Sequence, residues 1–252
     1  MLLAVSEATP TVALPPRPQV LLLRELERVA RLHAERRADP ALSAALIRLG
    51  EWQGRRLRNT YADLAADRRY TAAISFFQND LYGGADFSRR DADLARVSPA
   101  INRLLPPAVI ATVAAAMEMN ALAQELDRSL LERLPRADGT FSVAEYCAAY
   151  REPADYPRRA RQRALVGEVG GDLDRYVRTR MLGTALVMMR RPARAAGLSE
   201  LQEFLERGFA AFRRMDGAHE FLAQVDFRER TIHDAIVGGS DAPFPDPWPR
   251  RV

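Results

Sequence analysis

Apolar residues recur at helical spacing from Val109 to Leu134, and this pattern constrains the fold more than any other feature of the chain. Ile110, Val113, Met117 and Ala121 follow one another at intervals of three or four residues, which places them on one face of a helix. The stretch contains neither glycine nor proline, the residues least compatible with a helix interior. We therefore predict one long, unbroken helix at the centre of the molecule.

The stretch YTAAISFFQNDLYG carries an aromatic stripe. Tyr70, Ile74, Phe77 and Leu81 are separated by four, three and four residues, so they share one helix face. Further apolar residues widen this face beyond a narrow seam, which favours a helix covered by neighbours on more than one side. We predict that it runs from Tyr70 to Tyr82, where two glycines follow, and that it is the second central helix.

Seven further stretches show a helical pattern or its start and stop signals. Three of them begin with a serine followed three residues later by an acid or an amide, the spacing of a capping box. No stretch shows the alternating pattern of a strand. We predict an all-α fold, a single multi-helix domain of about eight or nine helices with orthogonal or bundle-like packing. The further helices are expected at Gln19 to Arg37, Pro40 to Ala66, Ser88 to Leu105, Ser142 to Glu152, Pro157 to Arg190, Ser199 to Asp216 and Ala218 to Val237.

The two ends of the chain are rich in proline, whereas its middle is not. Prolines at 10, 15, 16 and 18 are incompatible with a continuing helix, so we predict a disordered tail over residues 1–18. The helical domain is expected over residues 19–237, followed by a proline-rich irregular tail over residues 238–252. A chain of 252 residues with 48% hydrophobic residues can bury one sizeable core.

The sequence predicts a cytoplasmic protein without a membrane span. No run approaches the roughly 20 apolar residues that a spanning helix needs. The opening MLLAVSEATPTVAL lacks a basic region and contains Glu7, so we do not interpret it as an export signal. Cys147 is the single cysteine, which agrees with a reducing compartment.

The segment FFQNDLYG resembles the signature of the bacterial FFLEELY-motif proteins, an all-helical family. Its flanks RNTYADLAADRRY and DFSRRDADL, and the later stretches LQEFLERGFAAFRRM and FLAQVDFRERTI, extend the resemblance over most of residues 55 to 236. Gln78, Asn79 and Asp80 stand where the family name has Leu, Glu and Glu. The resemblance implies an all-helical fold and brings no catalytic residues.

The residue types that carry most enzymatic chemistry are poorly represented. His33, His219 and His233 do not fall in the Glu-x-x-His pattern of di-iron bundles, although His219 or His233 could each act as an axial haem ligand. Glu118 and Glu125 belong to one polar strip on the long helix. A buried Glu118 would act as an acid or base, but a solvated edge or a polar contact between helices is the preferred interpretation. Cys147 has no neighbouring histidine to activate it. We predict no metal site, no catalytic residues and no cofactor, and favour a non-enzymatic protein.

Every basic side chain is arginine, since the sequence contains no lysine. Residues 151–196 hold eleven arginines against five acids, an excess that could bind anions. Acids four residues before Arg159 and Arg178 favour the alternative of ion pairs on a solvated helix face. No recognition motif accompanies the patch, so nucleic acid is not the favoured partner. The candidate anion-binding residues are Arg158, Arg159, Arg161, Arg163, Arg175 and Arg178.

Two functions remain open from the sequence. The first and preferred one is a non-enzymatic module that binds a protein partner through apolar grooves rimmed by arginine. The alternative is a pocket between helices for a small apolar or lipid-like ligand, or haem, with arginine for an acidic head group. The candidate pocket residues are Phe76, Phe77, Tyr82, Met117, Met119 and Glu118.

Overall fold

The computed structural model describes residues 16–81, 87–136 and 140–248, and this part of the chain is helical without any strand. The prediction of an all-α fold is confirmed. The described residues form eleven α-helices: α1 Pro18–Ala38, α2 Pro40–Thr60, α3 Ala62–Ala66, α4 Thr71–Phe76, α5 Ser88–Leu104, α6 Pro107–Leu131, α7 Val143–Tyr150, α8 Tyr156–Val177, α9 Arg180–Ala195, α10 Ser199–Met215 and α11 His219–Val237.

The number of helices exceeds the predicted eight or nine because two expected helices are each divided. The helix expected from Pro40 to Ala66 is interrupted at Tyr61, whose backbone leaves the regular helical conformation. The helix expected from Pro157 to Arg190 ends at Val177, and α9 begins after the extended Thr179. Both breaks are short changes of backbone direction without proline or glycine, so composition did not indicate them.

Helix α6 lies at the centre, as the long apolar repeat predicts. Ile110, Ala114 and Met117 are buried with Leu22 and Leu26 of α1 in one core cluster. A further face of α6 packs against α8. Ala114 and Ala121 of α6 are buried and leave little side-chain bulk between the helices, which allows a close approach.

A second core cluster joins the aromatic stripe to the C-terminal helices. Tyr70 and Ile74 are buried against Phe212 of α10 and Phe221 of α11. The predicted continuous helix from Tyr70 to Tyr82 is instead the short α4 followed by one π-helical turn, Phe77–Leu81. Tyr82 and the glycines after it lie outside the described residues.

Trp52 is the centre of the third core cluster. Its ring stacks on Tyr146 of α7 with 4.5 Å between ring centroids, and Phe141 lies at 5.1 Å. Phe244 belongs to the same cluster and its ring contacts that of Trp52. It lies in residues 238–248, which form no helix. Aromatic pairs at such distances add roughly 0.5–1.5 kcal/mol each beyond the area that they bury, so this irregular segment belongs to the packed core.

No helix within the described ranges combines the length and the apolar character that crossing a bilayer requires.

Candidate functional site

A cleft of about 250 Å³ lies between the central helices. Its walls come from α1, α2, α4, α6, α7, α8 and α11, together with Phe77 and Gln78 of the π-helical turn and Phe87 before α5. Asn120, Gln124 and Asp127 line it at intervals of four and three residues on α6, so one polar face of the central helix is turned into the cleft. We refer to this space as the central cleft.

Arg159 of α8 lines the central cleft with its positive charge poorly compensated. The residue is 7% exposed, and its guanidinium carbon lies 3.6 Å from the centroid of the Tyr150 ring. Nε and Nη2 have no hydrogen-bond acceptor among the described residues. The nearest carboxylate, that of Asp155, is 4.0 Å away and accepts hydrogen bonds from Ser129 and Arg158. A buried cation without hydrogen-bonded partners is unfavourable, so this position is suited to an anion.

Arg163 lies one helical turn after Arg159 and also lines the central cleft. It is half-buried and forms neither a hydrogen bond nor an ion pair with the rest of the described chain. Side chains four residues apart lie on the same helix face. Arg159 and Arg163 therefore present to one space two guanidinium groups that have no hydrogen-bond acceptor in the described chain.

Arg56 on the opposite wall differs because its charge is paired. It donates to Glu229 of α11 through Nη1 at 2.5 Å and Nη2 at 2.9 Å. Tyr61 donates its hydroxyl hydrogen to the same carboxylate at 2.7 Å. Burial alone would raise the pKa of Glu229, but the charge of Arg56 and these hydrogen bonds outweigh it and hold that pKa below its usual range. Glu229 thus stays ionised and neutralises Arg56.

Asp127 is the acid of the central cleft that has no cationic partner within ion-pair distance in the described chain. Its Oδ1 accepts one hydrogen bond from Nε2 of Gln53 at 2.9 Å. Burial raises the pKa of Asp127 to about 6, and neither this hydrogen bond nor the field of Arg159 offsets the loss of hydration. A donor or a cation on a ligand would be favourable beside this carboxyl group.

His33 lines the central cleft as part of a buried polar network. Its Nε2 lies 2.9 Å from Oδ2 of Asp91, and Nδ2 of Asn120 donates to the same oxygen at 2.8 Å. Burial would raise the pKa of Asp91, but the hydrogen bond with His33 and the charge of Arg90 hold it low. An ionised Asp91 favours a hydrogen on Nε2 of His33. Nδ1 has no partner within the described ranges.

Aromatic rings form the remaining walls. Phe77 and Phe221 lie with 5.7 Å between their ring centroids, and Tyr61, Tyr146 and Tyr150 also line the cleft. The π-helical turn carries Phe77 to this position, and such turns occur often at functional sites. The cleft can therefore hold a flat or apolar group beside its charged groups.

The residues predicted to form a pocket are not brought together. Phe77 lines the central cleft, but Phe76 points to α10, where its ring lies 5.3 Å from that of Phe204. Met117 is buried in the core cluster with α1, because it lies on a face of α6 adjacent to the cleft face. Glu118 binds Arg161 through both oxygens, at 2.9 and 2.8 Å. Met119 is half-buried outside the lining, and Tyr82 lies outside the described residues.

The predicted arginine patch divides into two groups. Arg158 pairs with Asp155, Arg161 with Glu118 and Glu168, Arg175 with Asp172, and Arg178 with Asp174. These four arginines are therefore neutralised by nearby acids, as the alternative of a solvated face expected. Arg159 and Arg163 alone among the six line the central cleft.

Sequence reasoning missed most of the polar lining. Asp127, Gln53 and Tyr150 come from three helices that are distant in sequence, and no short motif joins them. The polar residues that interrupt the apolar pattern of α6 were the available signal, since Asn120 and Gln124 mark the cleft face. Cys147 is buried, and burial raises its pKa to about 11, which disfavours the thiolate.

Comparison with known proteins identifies one family. The family described as Domain of unknown function (DUF8198) matches residues 32–243, which include every residue that lines the central cleft. No curated protein and no solved structure matches the chain.

Proposed function

Because the chain belongs to the family described as Domain of unknown function (DUF8198), whose description names no activity, we propose its function from the central cleft. We propose that the protein binds a small molecule that carries an acidic group, and that this group is held by Arg159 and Arg163. The observation that carries the proposal is the buried guanidinium group of Arg159 in the wall of the cleft, whose Nε and Nη2 have no hydrogen-bond acceptor among the described residues.

Burial of a poorly compensated charge supports this proposal energetically. Transfer of a charged group out of water costs several kcal/mol unless hydrogen bonds and an opposite charge replace the lost hydration. Arg159 obtains a contact with the Tyr150 ring, worth roughly 0.5–2 kcal/mol, but has no acceptor at Nε or Nη2. An incoming carboxylate or phosphate would provide both the acceptor and the charge.

The size and walls of the cleft support a small ligand. Pockets for drug-sized molecules span roughly 300–1,000 Å³, and the central cleft has about 250 Å³. This favours a compact molecule over a lipid or haem. The rings of Phe77, Phe221 and Tyr61 provide apolar surface beside the polar groups, so an apolar portion of the ligand would be accommodated.

The protein-binding module expected from the sequence stays a prediction. Helix α9 presents Val187, Met188 and Met189 as consecutive exposed apolar residues. Exposed apolar side chains are common on protein surfaces, whereas a buried cation without an acceptor is rare. We therefore base the proposal on the cleft.

Thermal unfolding in the presence of small acids tests the proposal. Carboxylates and phosphates are added to the protein alongside the neutral amide or ester of the same skeleton. A ligand at one hundred times its Kd stabilises the folded state by roughly 2.7 kcal/mol, so binding acids should raise the melting temperature and their neutral analogues should not.

Two arginine variants of α8 make the test specific. Arg159→Gln should lose the stabilisation by acids, because it removes the buried cation. Arg161→Gln removes the same charge two residues away, at a position that faces Glu118 outside the cleft, and should retain the stabilisation. Equal responses of the two variants, or no response of the unmodified protein to any acid, would overturn the proposal.

A further inference from the structure

Two opposite charges face the central cleft without pairing with each other. Arg159 on α8 and the carboxyl group of Asp127 on α6 both line it, and these two helices pack directly against one another. They are not within ion-pair distance, although the field of Arg159 reaches Asp127. A cleft of about 250 Å³ is small enough for one compact ligand to reach both groups.

We infer that the ligand is a zwitterion of the amino-acid class, with its carboxylate at Arg159 and Arg163 and its ammonium group at Asp127. This inference rests on the proposed function and adds the chemistry of the second ligand group. Arg159 and Arg163, one helical turn apart, can each donate to one oxygen of the same carboxylate.

Asp127 disfavours acids that carry no cationic group. A monocarboxylate without an amine would close the cleft and leave Asp127 desolvated, with only the hydrogen bond from Gln53. A phosphate monoester carries a charge of about −1.5 to −2 at neutral pH, which would increase the repulsion of Asp127 within this small space. An ammonium group instead supplies the missing opposite charge.

The other charged groups of the cleft do not provide a second site for the ammonium group of the ligand. Arg56 on the opposite wall is paired with Glu229, and Tyr61 donates its hydroxyl hydrogen to the same carboxylate. Arg36 of α1 donates to the hydroxyl group of Ser43 at 3.3 Å. Asp127 is therefore the acid left for a ligand cation in the described part of the cleft.

A matched set of compounds tests the inference. Phenylalanine, tyrosine and leucine carry both charges. 3-Phenylpropionate, 3-(4-hydroxyphenyl)propionate and 4-methylpentanoate lack the amine, whereas phenethylamine, tyramine and 3-methylbutylamine lack the carboxylate. Binding to the full-length protein is measured by calorimetry and thermal shift. We expect at least one amino acid to bind at least tenfold more tightly than both of its analogues.

Two variants separate the two charges. Asp127→Asn should weaken the amino acid at least tenfold and should not weaken its deaminated analogue, so that the amino acid loses its advantage. Arg159→Gln should weaken both compounds. Circular dichroism and the melting temperature without ligand check that each variant is folded.

The failures of the inference and of the proposed function are distinguishable. Deaminated acids that bind the unmodified protein as tightly as the amino acids, and that lose affinity in Arg159→Gln, would overturn the zwitterion and leave the acid-binding function standing. Tight binding of the amines alone would overturn both. Binding of none of the nine compounds would overturn the zwitterion and leave the acid-binding function to the test with the wider set of carboxylates and phosphates.

Discussion

The carboxyl group of Asp127 lies at a position where its ionisation lowers the free energy of unfolding. Its pKa rises from the ordinary value of 3.8 to about 6 because burial removes hydration. The folded protein therefore holds this proton more tightly than the unfolded chain does. The resulting stabilisation is fully present below about pH 4 and is lost as the pH rises through 6.

Asp127→Asn should remove this dependence, because an amide does not ionise. Relative to the unmodified protein, the variant should gain about 1–3 kcal/mol of unfolding free energy between pH 4 and pH 7. Urea denaturation at a series of pH values measures the difference, in which other titrating groups largely cancel. A difference that stays constant over this range would show that Asp127 ionises as it does in water.

A neighbouring aromatic ring leaves little room for a side chain at Gly208 of α10. A Cβ at this position would lie 2.9 Å from Cζ of Phe76. The Phe76 ring is buried against Phe204 and has little room to move. We expect Gly208→Ala to lower the free energy of unfolding by about 1–3 kcal/mol, the usual cost of overpacking.

Gly167 of α8 provides the matched control. A Cβ there would meet no atom within 4 Å, so Gly167→Ala should stabilise the helix by roughly 0.5–1 kcal/mol. Urea denaturation of both variants gives the comparison. Equal effects of the two substitutions would contradict the close contact between α10 and the Phe76 ring.

At the scale of the helix, capping-box sequences differ in how well they predict a side-chain cap at the start of a helix. Ser142 and Glu145 form the predicted capping box at α7, with both reciprocal hydrogen bonds present. Ser199 and Gln202 do not, since α10 begins without a side-chain cap and Gln202 instead donates to the carbonyl of Leu186. A partner on another helix replaces the local bond, and no local pattern reveals that partner.

These two serines give an element-scale prediction. Ser142→Ala should cost about 1 kcal/mol of stability, because it leaves a backbone N–H at the start of α7 without its acceptor. Ser199→Ala should stay within about 0.5 kcal/mol, as expected for a position without a special contact. Melting temperatures of the two variants decide the matter. A larger loss for Ser199→Ala would show a cap on α10.

The π-helical turn Phe77–Leu81 shows another limit of sequence patterns. Tyr70, Ile74 and Phe77 were predicted to share an apolar face, and the three residues do belong to one core cluster. The sequence pattern also predicted that α4 would continue regularly, which is wrong beyond Phe76. A single π-helical turn barely changes the spacing of apolar residues. The periodicity therefore indicates which residues are buried more securely than it indicates whether the backbone hydrogen bonds are α-helical or π-helical.

At the scale of the whole molecule, the sequence predicted the helices better than the site. Helix positions follow from local periodicity, and α6 lies at the centre as its apolar length indicated. The central cleft depends on which faces of distant helices meet. Asp127, Gln53 and Arg159 become neighbours through packing alone, and the sequence gives no local reason to join them. The predicted arginine patch contained Arg159 and Arg163, which line the cleft. Helical periodicity did not distinguish these two from the four arginines that are paired with acids.

The ion pair between Arg56 and Glu229 joins helices α2 and α11 across the cleft, between residues far apart in the chain. Glu229→Gln would leave Arg56 largely buried without a carboxylate, and we expect a loss of about 3–5 kcal/mol in unfolding free energy. The double variant Arg56→Gln/Glu229→Gln leaves no unpaired charge, so its loss should fall below the sum of the two single losses by about 1–3 kcal/mol. Urea denaturation of the four proteins completes this cycle. Strict additivity would mean that the two helices are held together without this pair, and that the cleft does not depend on it for closure.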